Sequence, residues 1–365
     1  MTSFSVREIA EIIQGRLVNE KEVEGRLDLI QVERPAALAG SGGRDLAFFF
    51  SRAYEQELVT AAPGILVTGE AFVGPLTAAQ LPFWRSTAVL ACRDPYLAMG
   101  ILSEKFAPLL STVAHLPASS SEQAILKKPE VHPSAVVAAS AQLGDGVKIG
   151  PNCVIEDGAQ IGAGTVLYSG CYVGPGCSVG RDCVLFPGVV LYEWTQLGDR
   201  VRIHANSVLG ADGFGYAPRK SGGVPEGHQK IYHLGRVVVG DDVEMGALTT
   251  VDRGTLGDTQ IRSQAKLDDQ VHIGHNCSVG EGAVICGATG LAGGAIIGKF
   301  AYIGGLAGIS NQVQVGDGAK VGAMSLVTKD VPARGTVVGN PQREYREHFR
   351  VHALLNKLLE ERRSK

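Results

Sequence analysis

The sequence is short of the features that mark several large classes of protein. Only 6% of its 365 residues are aromatic and 19% are charged, and a net charge of −3 gives no excess of basic residues for general binding to nucleic acid. The seven cysteines form no C-x-x-C pair, so neither a zinc site nor a disulfide framework is indicated. The uncharged run from Gly282 to Gly298 is rich in glycine, which argues against a membrane span.

The N-terminal segment also lacks the pattern of a signal peptide. Charged residues begin at Arg7 in MTSFSVREIAEIIQG, and no apolar core precedes them. Together with the missing span, this composition predicts a soluble cytoplasmic protein.

What the chain has in abundance is a six-residue repeat. Aliphatic residues fall at every sixth position from Val131 to Leu209, and the count resumes at Val237 and runs to Val327. The non-aliphatic members of the second series are Thr249 and Thr255. A hexapeptide repeat predicts a parallel β-helix, in which each short strand is followed by a turn. Five cysteines share one slot of the repeat, which predicts that they are small buried core residues: Cys153, Cys171, Cys177, Cys183 and Cys277.

The repeat is interrupted between Leu209 and Val237, where about 22 residues are surplus to the count. This inserted loop, residues 210–236, begins with GADGFGY, whose aromatic rings suit ligand contact and whose glycines suit close backbone approach. Long loops in compact domains are usually functional. We therefore predict a substrate-facing loop with Asp212, Phe214 and Tyr216 as binding residues, rather than a passive insertion.

Three further segments complete the domain organisation. Residues 1–112 predict a small α/β domain: a capping box at Ser5 and Glu8 opens a helix, strand-like runs follow in DLAFFF, GILVTG and STAVLAC, and a helix begins near Asp94. Residues 113–130 are a predicted linker before the repeat region of 131–333. Residues 334–365 are highly charged with leucines at helical spacing, which predicts a C-terminal helix that packs on the coil end or recruits a partner.

The order of these parts, with GADGFGY, TTVDRG and HIGHN following one another, resembles the UDP-3-O-acylglucosamine N-acyltransferase family of lipid A biosynthesis over essentially the full length. The resemblance, within the hexapeptide-repeat acyltransferases, implies a mainly β protein: a left-handed parallel β-helix of about ten three-strand coils, behind an N-terminal uridine-binding domain. It implies a cytoplasmic homotrimer without metal or cofactor. The expected reaction moves a 3-hydroxyacyl chain from acyl carrier protein to the 2-amino group of UDP-3-O-(3-hydroxyacyl)glucosamine.

The resemblance also implies roles for residues of the repeat region. His275 of HIGHN matches the catalytic base, because a neutral imidazole can take the proton of an attacking amine. Asp268 matches the carboxylate that orients this base, with Asp258 and Asp269 as open alternatives. With 18 residues per coil, Gly293 stacks beyond His275, and its N–H is a candidate donor to the oxyanion.

Substrate-binding roles follow from the same resemblance. Phe48 and Tyr54 match the aromatic pair that embraces uracil, and Ser51 stands where an Asn contact is common. Asn276 is expected to bind substrate beside the base. Gln312 replaces a second histidine, so a neutral contact is expected there instead of a proton relay.

Three other functions compete with this interpretation. An acyl-ACP–UDP-N-acetylglucosamine O-acyltransferase shares the coil but typically lacks the N-terminal domain. A γ-type carbonic anhydrase on the same fold needs three converging histidines for zinc, and only His272 and His275 are on adjacent turns. A solenoid that serves only as a binding module predicts no acyl transfer.

Overall fold

The structure is a computed structural model that describes residues 3–79, 81–106 and 128–363. The chain divides into two compact units, Met1–Ser111 and Thr112–Lys365. Most of the predicted linker of residues 113–130 lies outside the described residues.

The first unit is built on a five-stranded sheet. Its central strands Asp45–Phe49, Ile65–Gly69 and Ala88–Cys92 are parallel and lie in the three strand-like runs, which confirms that prediction. Arg34–Pro35 extends one edge in parallel, and Arg16–Leu17 pairs antiparallel with the other. A separate two-stranded ladder joins Phe4–Ser5 to Gln31–Val32.

Two helices of this unit begin at the predicted caps. The Ser5 hydroxyl accepts a hydrogen bond from the N–H of Glu8, whose carboxylate accepts one from the N–H of Ser5. Asp94 accepts bonds from the N–H groups of Tyr96 and Leu97 at 3.1 and 2.9 Å. These side chains pair donors that the first turn leaves free. The α-helices are Val6–Ile12, Glu20–Val23, Glu70–Ala79 and Pro95–Phe106, and the 3₁₀ helices are Glu24–Leu29, Arg52–Val59 and Pro82–Arg85.

The second unit is a parallel β-helix, as the repeat predicts. Most strands are two residues long, and each pairs with the strand one coil further on, so Ile273 lies beside Leu291 and Leu291 beside Ile309. The second residue of a strand points inward and is buried in nearly every coil. The five cysteines of the shared slot are also buried, which confirms their assignment to the core. Each coil thus supplies backbone partners and apolar contacts to the next.

The strands form three faces, named here in chain order. The first face contains Glu130–Val131, Lys148–Ile149, Val166–Leu167, Val184–Leu185, Arg202–Ile203, Glu244–Met245, Lys266–Leu267, Val284–Ile285, Tyr302–Ile303, Lys320–Val321, Thr336–Val338 and Arg343–Glu344. The second face contains Val136–Val137, Val154–Ile155, Tyr172–Val173, Val190–Leu191, Val208–Ala211, Thr250–Asp252, His272–Ile273, Gly290–Leu291, Gly308–Ile309 and Leu326–Val327. The third face contains Gln142–Leu143, Gln160–Ile161, Ser178–Val179, Gln196–Leu197, Arg236–Val239, Asp258–Ile261, Ser278–Val279, Ile296–Ile297 and Gln314–Val315.

The repeat resumes two residues later than predicted. Val239, not Val237, pairs with Leu197, and Val251 pairs with Leu209, so Thr249 and Thr255 are not strand positions of the coil. The strand Arg236–Val239 has four residues where most strands of the coil have two, and both of its alternate residues Val237 and Val239 are buried. Because side chains in a strand alternate with period two, a shift of two residues keeps the same hydrophobic pattern.

A second, shorter insertion restores the predicted count. Ile261 follows Val251 by ten residues on adjacent faces where six would suffice, so residues 253–257 bulge out. Arg253 in this bulge is buried and donates to the carbonyl oxygen of Gly210 at 2.6 Å and to the Glu193 carboxylate at 2.7 Å. These contacts tie the bulge to the start of the long insertion.

The C-terminal part differs slightly from its predicted boundary. The coil continues beyond residue 333, because Thr336–Val338 pairs in parallel with Lys320–Val321. The predicted helix then runs over Tyr345–Arg363. Its leucines are at least half exposed: Leu354, Leu355, Leu358 and Leu359.

Candidate active site

A groove of about 530 Å³ runs along the second face. Its floor follows outward-facing residues of four paired strands: His272, Gly290, Gly308 and Leu326. The two glycines leave the strip bare, and a Cβ at Gly290 would meet nothing within 4 Å. The groove is therefore a narrow apolar strip between an imidazole and a leucine, a shape suited to an extended alkyl chain.

His275 lies beside this groove in the turn after His272–Ile273. Its Nδ1 is 3.1 Å from Oδ1 of Asn276 and 3.4 Å from the Thr255 hydroxyl. An amide oxygen only accepts, so Nδ1 carries the hydrogen and Nε2 keeps a free lone pair. Nε2 faces the backbone of Gly293, where a Cβ would lie only 2.5 Å away. The site thus places a basic nitrogen beside a stretch of backbone that carries no side chain.

The side chain of Asn276 is used within the chain. Its Oδ1 accepts from both His275 and the N–H of Thr255, at 3.1 and 3.0 Å. The backbone of Asn276 is left-handed, with φ of 59°, a conformation that Asn tolerates better than most residues. The amide oxygen thus orients the ring and holds the short insertion, and the expected contact of Asn276 with substrate stays a prediction.

Asp252 is a site residue that the sequence reasoning missed. It ends the strand Thr250–Asp252 and lines the groove, and its carboxylate lies 3.8 Å from Nε2 of His272. Burial raises the pKa of Asp252, although the neighbouring imidazoles of His272, His275 and His233 act to lower it. The signal for it is its place in TTVDRG, one of the segments that carry the family resemblance.

Asp268 has partners other than His275 within the described chain, and its expected role as the orienting carboxylate stays a prediction. It follows a strand of the first face, whereas His275 follows one of the second. Its carboxylate accepts from the N–H groups of Gly287 and Asp269 and lines a different cavity with His204. The alternatives are also occupied elsewhere, since Asp258 pairs with Arg236 and Asp269 accepts from the N–H of Ala247.

The long insertion folds as a hairpin of Tyr216–Ser221 and Val224–Lys230, so it is not an irregular loop. Phe214 is 88% exposed at the groove and contacts Tyr216 edge-on, with ring centroids 5.1 Å apart. Asp212 forms an ion pair with Lys230, which holds the pKa of the carboxyl below its usual range. Of the three predicted binding residues, Phe214 lines the groove and Tyr216 packs against Phe214. Asp212 stabilises the hairpin through its ion pair with Lys230.

Gly293 and Gln312 lie one and two coils beyond His275. The N–H of Gly293 makes no hydrogen bond within the described residues. The imidazole ring of His275 lies against the backbone of Gly293, which matches the predicted stacking of the two residues. Gln312 is exposed, and its side chain packs against Gly294 while Ser310 and Asn311 line the groove. The side chain of Gln312, for which a neutral contact is predicted, thus does not line the groove.

Comparison with known proteins identifies the chain. The bacterial transferase hexapeptide (six repeats) family model matches residues 152–186 and 176–211. UDP-3-O-acylglucosamine N-acyltransferase of Azorhizobium caulinodans is 43% identical over 361 residues, covering 99% of this chain and 94% of the relative. The protein of the same name from Bordetella pertussis is 41% identical over 273 residues, 74% and 70% of the two chains. The chain belongs to the UDP-3-O-acylglucosamine N-acyltransferase family.

Solved structures agree on the fold of this family member. UDP-N-acetylglucosamine acyltransferase from Arabidopsis matches with a TM-score of 0.52 at 24% identity, covering 59% of this chain and 73% of that one. The chain is thus mainly β, a left-handed parallel β-helix with a C-terminal helix, as predicted. The described residues include no helix long and apolar enough to cross a membrane.

The aromatic residues predicted to hold uracil lie in the first unit of the N-acyltransferase chain. Phe48 is half-buried and packs against the sheet core, Tyr54 is 45% exposed, and Ser51 caps the 3₁₀ helix Arg52–Val59. Phe50, which was expected in the core strand, lies just beyond it and contacts both Tyr54 and Tyr96 edge-on. Phe49 is buried, as expected. The exposed aromatic surface is thus larger than the predicted pair.

Proposed function

We propose that the chain moves a 3-hydroxyacyl group from acyl carrier protein to the 2-amino group of UDP-3-O-(3-hydroxyacyl)glucosamine, with His275 as general base. The observation that carries this proposal is the free Nε2 of His275 at the end of an apolar groove. The ring is oriented by Asn276 and faces the backbone of Gly293, whose N–H makes no hydrogen bond within the described residues. Membership of the family supports the same reaction.

Each step of the transfer has a residue to perform it. The amine attacks the thioester carbonyl, and Nε2 of His275 takes the proton that the amine loses. The N–H of Gly293 donates to the oxyanion of the tetrahedral intermediate. When the C–S bond breaks, the leaving thiolate takes the proton from the imidazolium, which restores the base. Asp252 is near enough to balance the transient positive charge of the histidines.

The acyl chain lies along the bare strip of the second face in this proposal. The glycines at positions 290 and 308 admit it, and Leu326 closes the far end. Phe214 covers the strip from the insertion.

Assembly and carrier binding belong to the same proposal. We propose a cytoplasmic homotrimer with active sites between subunits, in which Asp268 acts on the active site of an adjacent chain. Arg346, Arg350 and Lys357 on the exposed terminal helix suit an acidic carrier protein. Light scattering should give three times the chain mass, and a monomer with full activity would exclude this arrangement.

A direct assay tests the reaction. The purified chain is incubated with 3-hydroxyacyl carrier protein and either UDP-3-O-acylglucosamine or UDP-N-acetylglucosamine. We expect an amide product from the first acceptor and little product from the second. Faster transfer to the second acceptor would favour the O-acyltransferase instead.

Replacing Phe48 and Tyr54 together by Ala is expected to raise the KM for the UDP sugar by about tenfold or more. Loss of two stacking rings removes about 1–3 kcal/mol each from binding to a base. The kcat should stay within about threefold, since neither ring belongs to the groove. Tyr96→Ala is the matched control for the exposed aromatic surface, and an unchanged KM in the double variant would contradict the placement of uridine.

A further inference from the structure

His233, at the end of the long insertion, has a buried imidazole ring. It is 3% exposed, and neither ring nitrogen makes a hydrogen bond within the described residues. Its ring meets the ring of His275 edge-on, with centroids 5.2 Å apart and planes at 65°. Burying nitrogens without hydrogen-bond partners destabilises a fold, and a phenylalanine ring would fill a similar space without that cost. The nitrogens of His233 therefore call for a role outside the resting fold.

The turn of the insertion holds the two imidazoles together. A Cβ at Gly213 would lie 2.8 Å from Cβ of His275 and 3.0 Å from Nε2 of His233. A Cβ at Gly215 would lie 2.9 Å from Cε1 of His233. The two glycines of GFGY thus let the backbone pass closely against both rings, and they fix the spacing of the pair.

The charged groups around the pair come from three elements. Asp252 of the second face lies on one side, with His272 at 3.8 Å from its carboxylate. Asp212 precedes the hairpin and is paired with Lys230 of its second strand. The pKa of Asp212 is lowered mainly by Lys230, with smaller contributions from His233 and Arg253. Of these two carboxylates, that of Asp212 is paired with Lys230, whereas that of Asp252 faces His272.

We propose that His233 is a positioning residue whose ring nitrogens stabilise the positive charge that forms on His275 during acyl transfer. The inference rests on the proposed function, in which His275 takes the proton of the amine and returns it to the thiolate; His233 itself neither gains nor loses a proton. An interaction that strengthens only when His275 is charged lowers the barrier without strengthening substrate binding. Its removal therefore changes kcat and leaves KM in place.

Two substitutions separate the nitrogens from the ring. His233→Phe keeps an aromatic ring and is expected to lower kcat by about tenfold or more, equal to about 1.4 kcal/mol of barrier. KM for both substrates should stay within about threefold, and Tm should be unchanged or higher. His233→Gln keeps a donor and an acceptor, and its kcat should stay within about threefold of the wild type. His228→Phe, at an exposed histidine of the same hairpin, is the matched control.

Three results would overturn the inference: wild-type kcat in His233→Phe, equal losses in both variants, or a lower Tm in His233→Phe. A wild-type chain without any acyl transfer would instead refute the proposed function. In that case, ring ¹⁵N signals of His275, assigned with His275→Gln, still test the pair. Identical pH titrations of these signals in wild type and His233→Phe would exclude any influence of His233 on His275.

Discussion

His275→Ala is expected to lower kcat for acyl transfer by about a thousandfold, because general base catalysis contributes roughly 10²–10⁴-fold. The substitution removes the nitrogen that faces Gly293 and leaves the attacking amine without a partner for its proton. The fold should persist, since the side chain lies in a turn outside the aliphatic interior of the coil. Single-turnover kinetics at saturating concentrations of both substrates measure the change.

His228→Ala serves as the control for this experiment, because that histidine is exposed on the hairpin and does not line the groove. It should retain wild-type turnover. Near wild-type kcat in His275→Ala, with a matching circular dichroism spectrum, would remove the base from the proposed mechanism. Asp252 and His272 would then be the next groups to test.

Gly293→Ala keeps the backbone N–H but is expected to lower kcat by about a hundredfold, the usual cost of misplacing a reacting group by about 1 Å. The new Cβ would lie 2.5 Å from Nε2 of His275 and 2.7 Å from its Cε1, so the ring must move. The moved ring would lose the 3.1 Å hydrogen bond from its Nδ1 to Oδ1 of Asn276, which fixes the tautomer. Steady-state kinetics with both substrates varied separate this effect from weaker binding.

Gly290→Ala is the informative comparison, because the same methyl group in the same groove would meet nothing within 4 Å. We expect its kcat to stay close to that of the wild type, with any change confined to the KM of the acyl donor. Equal losses of kcat in the two variants would show that groove width, and not the peptide beside His275, limits the reaction.

The sequence was sufficient for the architecture because the interior of a stacked coil repeats the same environment. A buried side chain every six residues leaves a period that no helix produces, so the coil and its core cysteines could be read directly. The start of the third-face strand at Arg236 could not be predicted from the sequence. Val237 and Val239 are both buried in one extended strand, and the hydrophobic pattern is the same for either register.

The active site was predictable only in part, for a related reason. His275 and Gly293 are one coil apart, and their contact follows from counting residues. Asp268 is closer to His275 in sequence than Asp252 is, but the coil turns a corner between Asp268 and His275. Two insertions of different length separate Asp252 and His233 from their regular places, so no count along the chain brings them to the base.

The division of labour along the second face has a consequence for engineering. Inward residues carry stability, while the outward column of His272, Gly290, Gly308 and Leu326 only shapes the strip. Fit to the cargo and resistance to unfolding can therefore be adjusted separately, one rung at a time. Each rung adds about 4.8 Å, so replacing Leu326 by a smaller residue would lengthen the groove by the length of a few methylene groups. The length of acyl chain that the protein accepts could be adjusted in this way.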